Sequence, residues 1–163
     1  MPRAERVMRD SESRRAASET MLLEAQRIAR IGSWEIDFKS GEVCWSHQTY
    51  VNYGVDPETF VPSLSTFQSC IRPDDSDRIG EIVRDAMTMG SSVEVEFRIV
   101  IPDGSVRVIL ALGEVTRFDP DGSPRVMTGI QQDITERRRT EREARESRLL
   151  LQNFLDSLGA AAF

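Results

Sequence analysis

The sequence predicts an α+β domain in which short helices cover one face of a five-stranded antiparallel sheet, with an extended helix at each end. Three observations carry this. Val93, Val95, Phe97, Ile99 and Ile101 alternate with Glu94, Glu96 and Arg98, the period of a half-buried strand. Asp103-Gly104 and Asp121-Gly122 are hairpin pairs that separate this strand from two more. The two ends of the chain, by contrast, show helical spacing and concentrated charge.

At 163 residues, with 39% hydrophobic residues, the chain holds one ordinary domain with polar flanks. The core is expected to span roughly 110 residues. A net charge of -6 argues against nucleic acid as a partner, which calls for a basic surface. Arg137-Arg138-Arg139 is surrounded by Glu136, Glu141, Glu143 and Glu146 and reads as a solvated helix face. No apolar run approaches the ~20 residues of a bilayer span, and the N-terminus lacks the apolar stretch of a signal peptide. No membrane contact is therefore expected of this segment, and a cytoplasmic location is. Cys44 and Cys70 stand apart without metal-ligand spacing and are expected to be reduced, and no metal site is predicted.

In order along the chain, Ala17, Met21, Leu22, Ala25, Ile28 and Ala29 recur at helical steps, with Gly32 expected to end the helix. Trp34, Ile36 and Phe38 then alternate with Glu35, Asp37 and Lys39. Ser40-Gly41 turns the chain into a second strand at Val43 and Trp45. Ser46 is placed to cap a helix from His47 to Tyr53 that Gly54 stops. A second short helix is expected from Ser65, closed by Pro73. A third is expected with Asp74 and Asp75 at its cap, burying Ile79, Ile82, Val83 and Ala86 before Gly90. Three strands follow, over 93–101, 106–115 and 126–132. Beyond them Thr140, Ala144, Ser147, Leu151, Phe154, Leu158 and Ala161 form a heptad seam.

Six short motifs occur in a fixed order. They are Ile31-Gly32-Ser33-Trp34-Glu35, Ser40-Gly41-Glu42-Val43 with Trp45-Ser46, and Tyr53-Gly54-Val55-Asp56-Pro57. Ile71-Arg72-Pro73-Asp74-Asp75 comes next, then Phe97-Arg98-Ile99 with Pro102-Asp103-Gly104-Ser105, and last Asp133-Ile134-Thr135-Glu136-Arg137. Through them the chain from about Leu22 to Arg137 resembles a PAS domain of the common bacterial sensor type. The resemblance implies a ligand cavity between the sheet and the short helices, faced by Tyr50, Phe67, Ile82, Phe97 and Gln131. It also implies that Asp133, Ile134 and Thr135 form a junction through which the core biases the helix that follows.

The resemblance leaves the ligand open, since PAS domains bind haem, flavin, small metabolites or nothing. Gln131 matches a glutamine that contacts flavin in blue-light-sensing relatives. The Asn-Cys-Arg motif of those relatives is missing, and the sequence around Cys70 does not replace it, so flavin photochemistry is disfavoured. Haem held by histidine would have to use His47, expected to be exposed at a helix start, and is disfavoured too. With one histidine and no phosphate-cradling glycine loop, no catalytic residues are assigned and the domain is not expected to be an enzyme. Trp34, Trp45, Tyr50, Tyr53 and Phe97 are expected mainly to fill the core.

The expected organisation is an N-terminal amphipathic helix over 1–30, a PAS domain over 31–135 and a signalling helix over 136–163 that leads to a further domain. The expected function is a sensing and relay module that pairs as a homodimer through its flanking helices, Ala144, Leu151, Phe154 and Leu158 forming the C-terminal seam. It would respond to a small molecule or partner and control an output domain in the same chain, a histidine kinase or a diguanylate cyclase. The alternative is a ligand-free dimerisation module.

Overall fold

The computed structural model describes residues 2–161. Helix α1 (Arg3–Ile28) leads into β1 (Ile31–Asp37) and β2 (Val43–Trp45), and then into α2 (His47–Tyr53), α3 (Leu64–Cys70) and α4 (Pro73–Met89). Strands β3 (Val93–Val100), β4 (Val106–Phe118) and β5 (Pro124–Asp133) follow, and α5 (Thr135–Ala161) closes the chain. The strands form one sheet in the order β2-β1-β5-β4-β3, antiparallel throughout, with the last strand in the centre.

Strand parity divides the sheet into two faces. Val95, Phe97 and Ile99 of β3, Ile109 and Ala111 of β4 and Met127 and Gln131 of β5 are buried on the inner face, where Tyr53, Ile71 and Ile79 pack with them. Ile79, Ile99 and Ile109 are at most 2% exposed, and burying such a side chain is worth about 1.5–3 kcal/mol. Glu94, Glu96, Arg98 and Glu114 occupy the alternate positions.

Several local expectations are corrected. Helix α1 ends at Ile28, and the reversal into β1 is made by Arg30 at a positive φ of 56°, a conformation uncommon for a side chain other than glycine. Gly32 lies inside β1. Ser46 precedes α2, but its Oγ accepts the Ser33 N–H of β1 at 2.9 Å and so ties helix to strand. Helix α3 is capped by Ser63, which exchanges hydrogen bonds with Thr66 in a capping box. Pro73 opens α4, where the missing N–H costs nothing. Asp75 turns inward and takes up Arg98. Its Oδ2 accepts the Arg98 backbone N–H at 2.8 Å and Nε at 3.0 Å, and Oδ1 accepts Nη2 at 2.8 Å.

No described residue of either flanking helix is fully buried. Met21, Leu22, Leu23 and Ile28 of α1, and Leu151, Phe154 and Leu158 of α5, are all more than half exposed. No helix among the described residues is long and apolar enough to cross a membrane. Residues 162 and 163, within the span expected for the C-terminal helix, lie outside the described residues, as does residue 1.

Candidate functional site

A cavity of about 70 Å³ lies between the inner sheet face and helices α2, α3 and α4. Its wall is built from aromatic and aliphatic side chains of every strand. Phe67 and Phe97 meet edge to face with ring centroids 5.8 Å apart, and Trp45 packs on Tyr53 at 4.8 Å and stacks on Phe60 at 5.2 Å. Burial holds the Tyr53 phenol protonated well past the usual tyrosine range.

Glycines shape this space. Gly113 and Gly129 face each other across β4 and β5, and the Trp34 indole of β1 lies over both. A Cβ at either position would fall inside the indole, and at Gly129 also against the Leu112 carbonyl oxygen. Gly32 serves the next strand pair. A Cβ there would sit 2.7 Å from the Thr49 backbone nitrogen and 2.8 Å from Gln131 Nε2. Thr49, 1% exposed, uses the room to donate its hydroxyl to the Ser33 carbonyl at 2.9 Å.

Gln131 pairs in register with Gly32 on one side and Ala111 on the other, so small neighbours leave its long side chain free to point inward. It is 2% exposed, and neither its amide oxygen nor its amide nitrogen has a hydrogen-bond partner among the described residues. Leaving a buried polar group unpaired costs about 1–3 kcal/mol.

Two residues further along β5 the strand becomes the junction. Asp133 Oδ1 accepts the Thr135 backbone N–H at 3.0 Å and the Thr135 hydroxyl, which in turn accepts the Val108 N–H of β4 at 3.0 Å. The other Asp133 oxygen lies 3.9 Å from Arg30 and 4.0 Å from Arg107. Arg107 also donates to the carbonyls of Val51 and Asn52 at the end of α2, where a cation favours the helix dipole. Ile134, 3% exposed, plugs the core and donates its N–H to the Val108 carbonyl. One turn on, Arg138 pairs with Glu96 of β3 and with Glu141 at 2.7 Å. Helix α1 ends at the same place. The Arg30 carbonyl accepts from Asp133 N–H and Asn52 Nδ2, and Gln132 donates to the Ala29 carbonyl.

Of the residues expected to face the cavity, Phe67, Ile82, Phe97 and Gln131 lie on its wall. Tyr50 does not. It packs edge-on against Trp45, centroids 5.3 Å apart, and Tyr53 one turn later takes the inward place. Asp133, Ile134 and Thr135 are brought together as described, and Ala144, Leu151, Phe154 and Leu158 are exposed along α5. Thr49, Arg30 and Arg107 carry no signal in the sequence, because their partners lie far off along the chain.

The cavity wall carries no haem-ligating histidine. His47 is exposed at the start of α2 and away from the wall. Cys70 is not on the wall either. Its Sγ bonds the Thr66 carbonyl, and burial pushes its thiol pKa up, which disfavours a reactive thiolate. The residues present therefore fit neither a histidine-held haem nor a flavin that forms a cysteine adduct.

Residues 39–131, more than half of the chain, match the family profile described as the PAS fold. The chain is 28% identical over 137 residues to the "Probable diguanylate cyclase DgcE" of Escherichia coli, covering 84% of this chain and 12% of that protein. It is 27% identical over 130 residues to the "Sensor protein FixL" of Bradyrhizobium diazoefficiens, covering 78% of this chain and 25% of that one. The chain thus spans a quarter or less of the curated relatives it matches. Among solved structures it resembles a sensory box histidine kinase/response regulator from Burkholderia thailandensis, with a TM-score of 0.65 and 25% identity over 81% of this chain and 98% of that one. The five-stranded antiparallel sheet with helices at both ends agrees with these matches: the chain belongs to the PAS family, as a domain of the type found in sensor histidine kinases and diguanylate cyclases.

Proposed function

We propose that this domain is a non-catalytic sensing and relay module whose cavity, when occupied or emptied, shifts the setting of α5 and through it an output domain in the same chain. The observation that supports this is the layout of β5. Its central position carries the unpaired Gln131 amide inside the cavity, and two residues later, on the same face of the strand, the Asp133 carboxylate that starts the helix. A change at the amide need travel only two residues to reach the cap. A ligand that prefers one arrangement of the strand shifts the population of helix states by its difference in affinity. A histidine kinase or a diguanylate cyclase is the output to test first, given the relatives.

The test is Asp133→Ala in the full-length protein. Loss of the cap removes one side-chain acceptor from the first turn of α5, at a cost of about 1 kcal/mol, so amide exchange at residues 135–138 should accelerate while the sheet stays protected. Output activity should lose its dependence on the signal. Unchanged output together with slow exchange would sink the relay.

The exposed apolar stripe on α5 favours a second, compatible role, as a dimerisation module. Leu151 and Phe154 are each 59% exposed and Leu158 52%, at alternating three- and four-residue spacing. A homodimer through α5 would cover them, with the cytoplasm as its setting. Sedimentation of the double variant Leu151→Glu, Leu158→Glu should show a monomer where the unmodified chain shows a dimer. A monomer in both would remove this role.

A further inference from the structure

We infer that the cavity is built for a compact, uncharged molecule bearing a hydrogen-bond donor and acceptor side by side, a carboxamide or lactam edge, held by the carboxamide of Gln131. The inference rests on the sensing role proposed above and names the chemistry that role would use.

Three observations converge. The first is Gln131 itself. Its amide presents an acceptor oxygen and a donor nitrogen on one edge, both buried and both without a partner among the described residues. Its inward direction is forced, because Gly32 and Ala111 flank it in the sheet and the strand parity that buries Met127 buries Gln131 as well. The group that satisfies both atoms at once is another amide-like edge presented in reverse.

The second observation is charge. No Asp, Glu, Lys, Arg or His lies on the cavity wall among the described residues. The ion pairs all sit outside, at Asp75 with Arg98, Asp133 with Arg30 and Arg107, and Asp37 with Arg125. A carboxylate or ammonium brought into such a place would lose its hydration with nothing of opposite sign to replace it, which costs several kcal/mol per ion. A neutral ligand meets no such penalty.

The third is size and wall. About 70 Å³ is far below the ~300–1,000 Å³ of pockets for drug-sized ligands. A molecule of a few non-hydrogen atoms is the limit. The surrounding faces of Trp45, Tyr53, Phe67 and Phe97 suit a flat apolar body behind the polar edge. Water is a poor substitute, since a buried water needs two to four polar partners and the other polar side chains on the wall, Thr49 and Ser63, are already engaged with the Ser33 carbonyl and with Thr66.

Acetamide and acetate separate these ideas, being nearly the same shape, small enough for the cavity, with a neutral and an anionic head. Each is titrated into the isotope-labelled chain at neutral pH, following the Gln131 side-chain NH₂ signal and the methyl signals of Ile82 and Val95. Acetamide should shift all three sets, and acetate should shift none over the same millimolar range. Gln131→Leu, which removes two unpaired polar groups and should fold at least as stably, should weaken acetamide binding by roughly tenfold to a hundredfold. The inference is overturned if acetate binds as well as acetamide, if Gln131→Leu leaves binding unchanged, or if neither probe enters. The first two outcomes leave a ligand cavity and the sensing role standing with a different chemistry. The third leaves that role to be decided by the Asp133→Ala measurement alone.

Discussion

Gly129→Ala should abolish the native seat of Trp34 and cost the domain about 3 kcal/mol. The added methyl has nowhere to go. On one side is the Leu112 carbonyl, fixed by the pairing of β4 with β5, and on the other the six-membered ring of the Trp34 indole. Overpacking a well-filled site costs about 1–3 kcal/mol, and a clash with backbone belongs at the upper end because backbone in a central strand cannot swing aside. Gly113→Ala meets only the indole and the end of Met127, both side chains that can move, and should cost less. The two variants also differ in where the indole goes. Trp34 lines the cavity, so displacing it from its glycine floor drives it into that space. Chemical denaturation gives the stabilities, and tryptophan emission in a Trp45→Phe background, where Trp34 alone emits, reports where the indole goes. Equal stabilities for Gly129→Ala and the unmodified chain would show that the glycine pair is not a steric requirement.

The second large effect is expected at Asp75. Asp75→Asn should lower stability by about 2–3 kcal/mol at neutral pH, less than the 3–5 kcal/mol of a fully buried pair because Arg98 is 38% exposed at its side chain. The Arg98 guanidinium and N–H hold the carboxyl down at about 2, the side-chain hydrogen bond being the largest cause and outweighing the opposing effect of burial. A depressed carboxyl stabilises the fold above its unfolded pKa and ceases to do so as pH falls through the folded one. The gap between the unmodified chain and Asp75→Asn should thus be constant above about pH 5, where the unfolded aspartate is already ionised. It should shrink as the pH falls from about 4 towards about 2. A gap that persists undiminished at the acid end would show that the carboxylate charge is not what matters. Association is affected as well. Strand β3 is an edge, and at Arg98 its N–H is taken by Asp75 and its carbonyl by the Arg72 N–H at 2.8 Å, with Ile71 bridging Ile99. The segment between α3 and α4 occupies the place another strand would take. Freeing Arg98 should make the variant more prone to aggregate.

Much of this fold is legible in the sequence, for reasons specific to particular residues. The alternation of 93–101 and the two Asp-Gly pairs define β3 to β5, because strand period and hairpin chemistry are local. The same parity puts Phe97 and Gln131 on the inner face. Tyr50 and Tyr53 show where local reading fails. They lie one turn apart on a helix of seven residues, and which of them turns inward is decided by the packing of Trp45 between them and Phe60. Asp75 has the sequence context of a cap, following a proline near a helix start. Its partner is 23 residues away on β3, and only the docking of α4 against that strand turns it inward. Gly113 and Gly129 carry no motif, and their joint role emerges only when the β4–β5 register sets them opposite each other. The lack of partners for Gln131 has no sequence signature at all, since it is a statement about every neighbour.

The meeting of Arg30 with Asp133 gives the domain a property of another kind. The chain arrives and departs at one point, its carbonyl at Arg30 accepting the N–H of Asp133 after the whole sheet has been traversed. Everything between is an excursion from that point. Such a unit can be spliced into a helical stalk, repeated along it or deleted from it without separating the helix ends on either side, because they are held together by that bond, by Gln132 donating to the Ala29 carbonyl and by the pairing of β1 with β5. Tandem duplication thus asks little of the surrounding architecture.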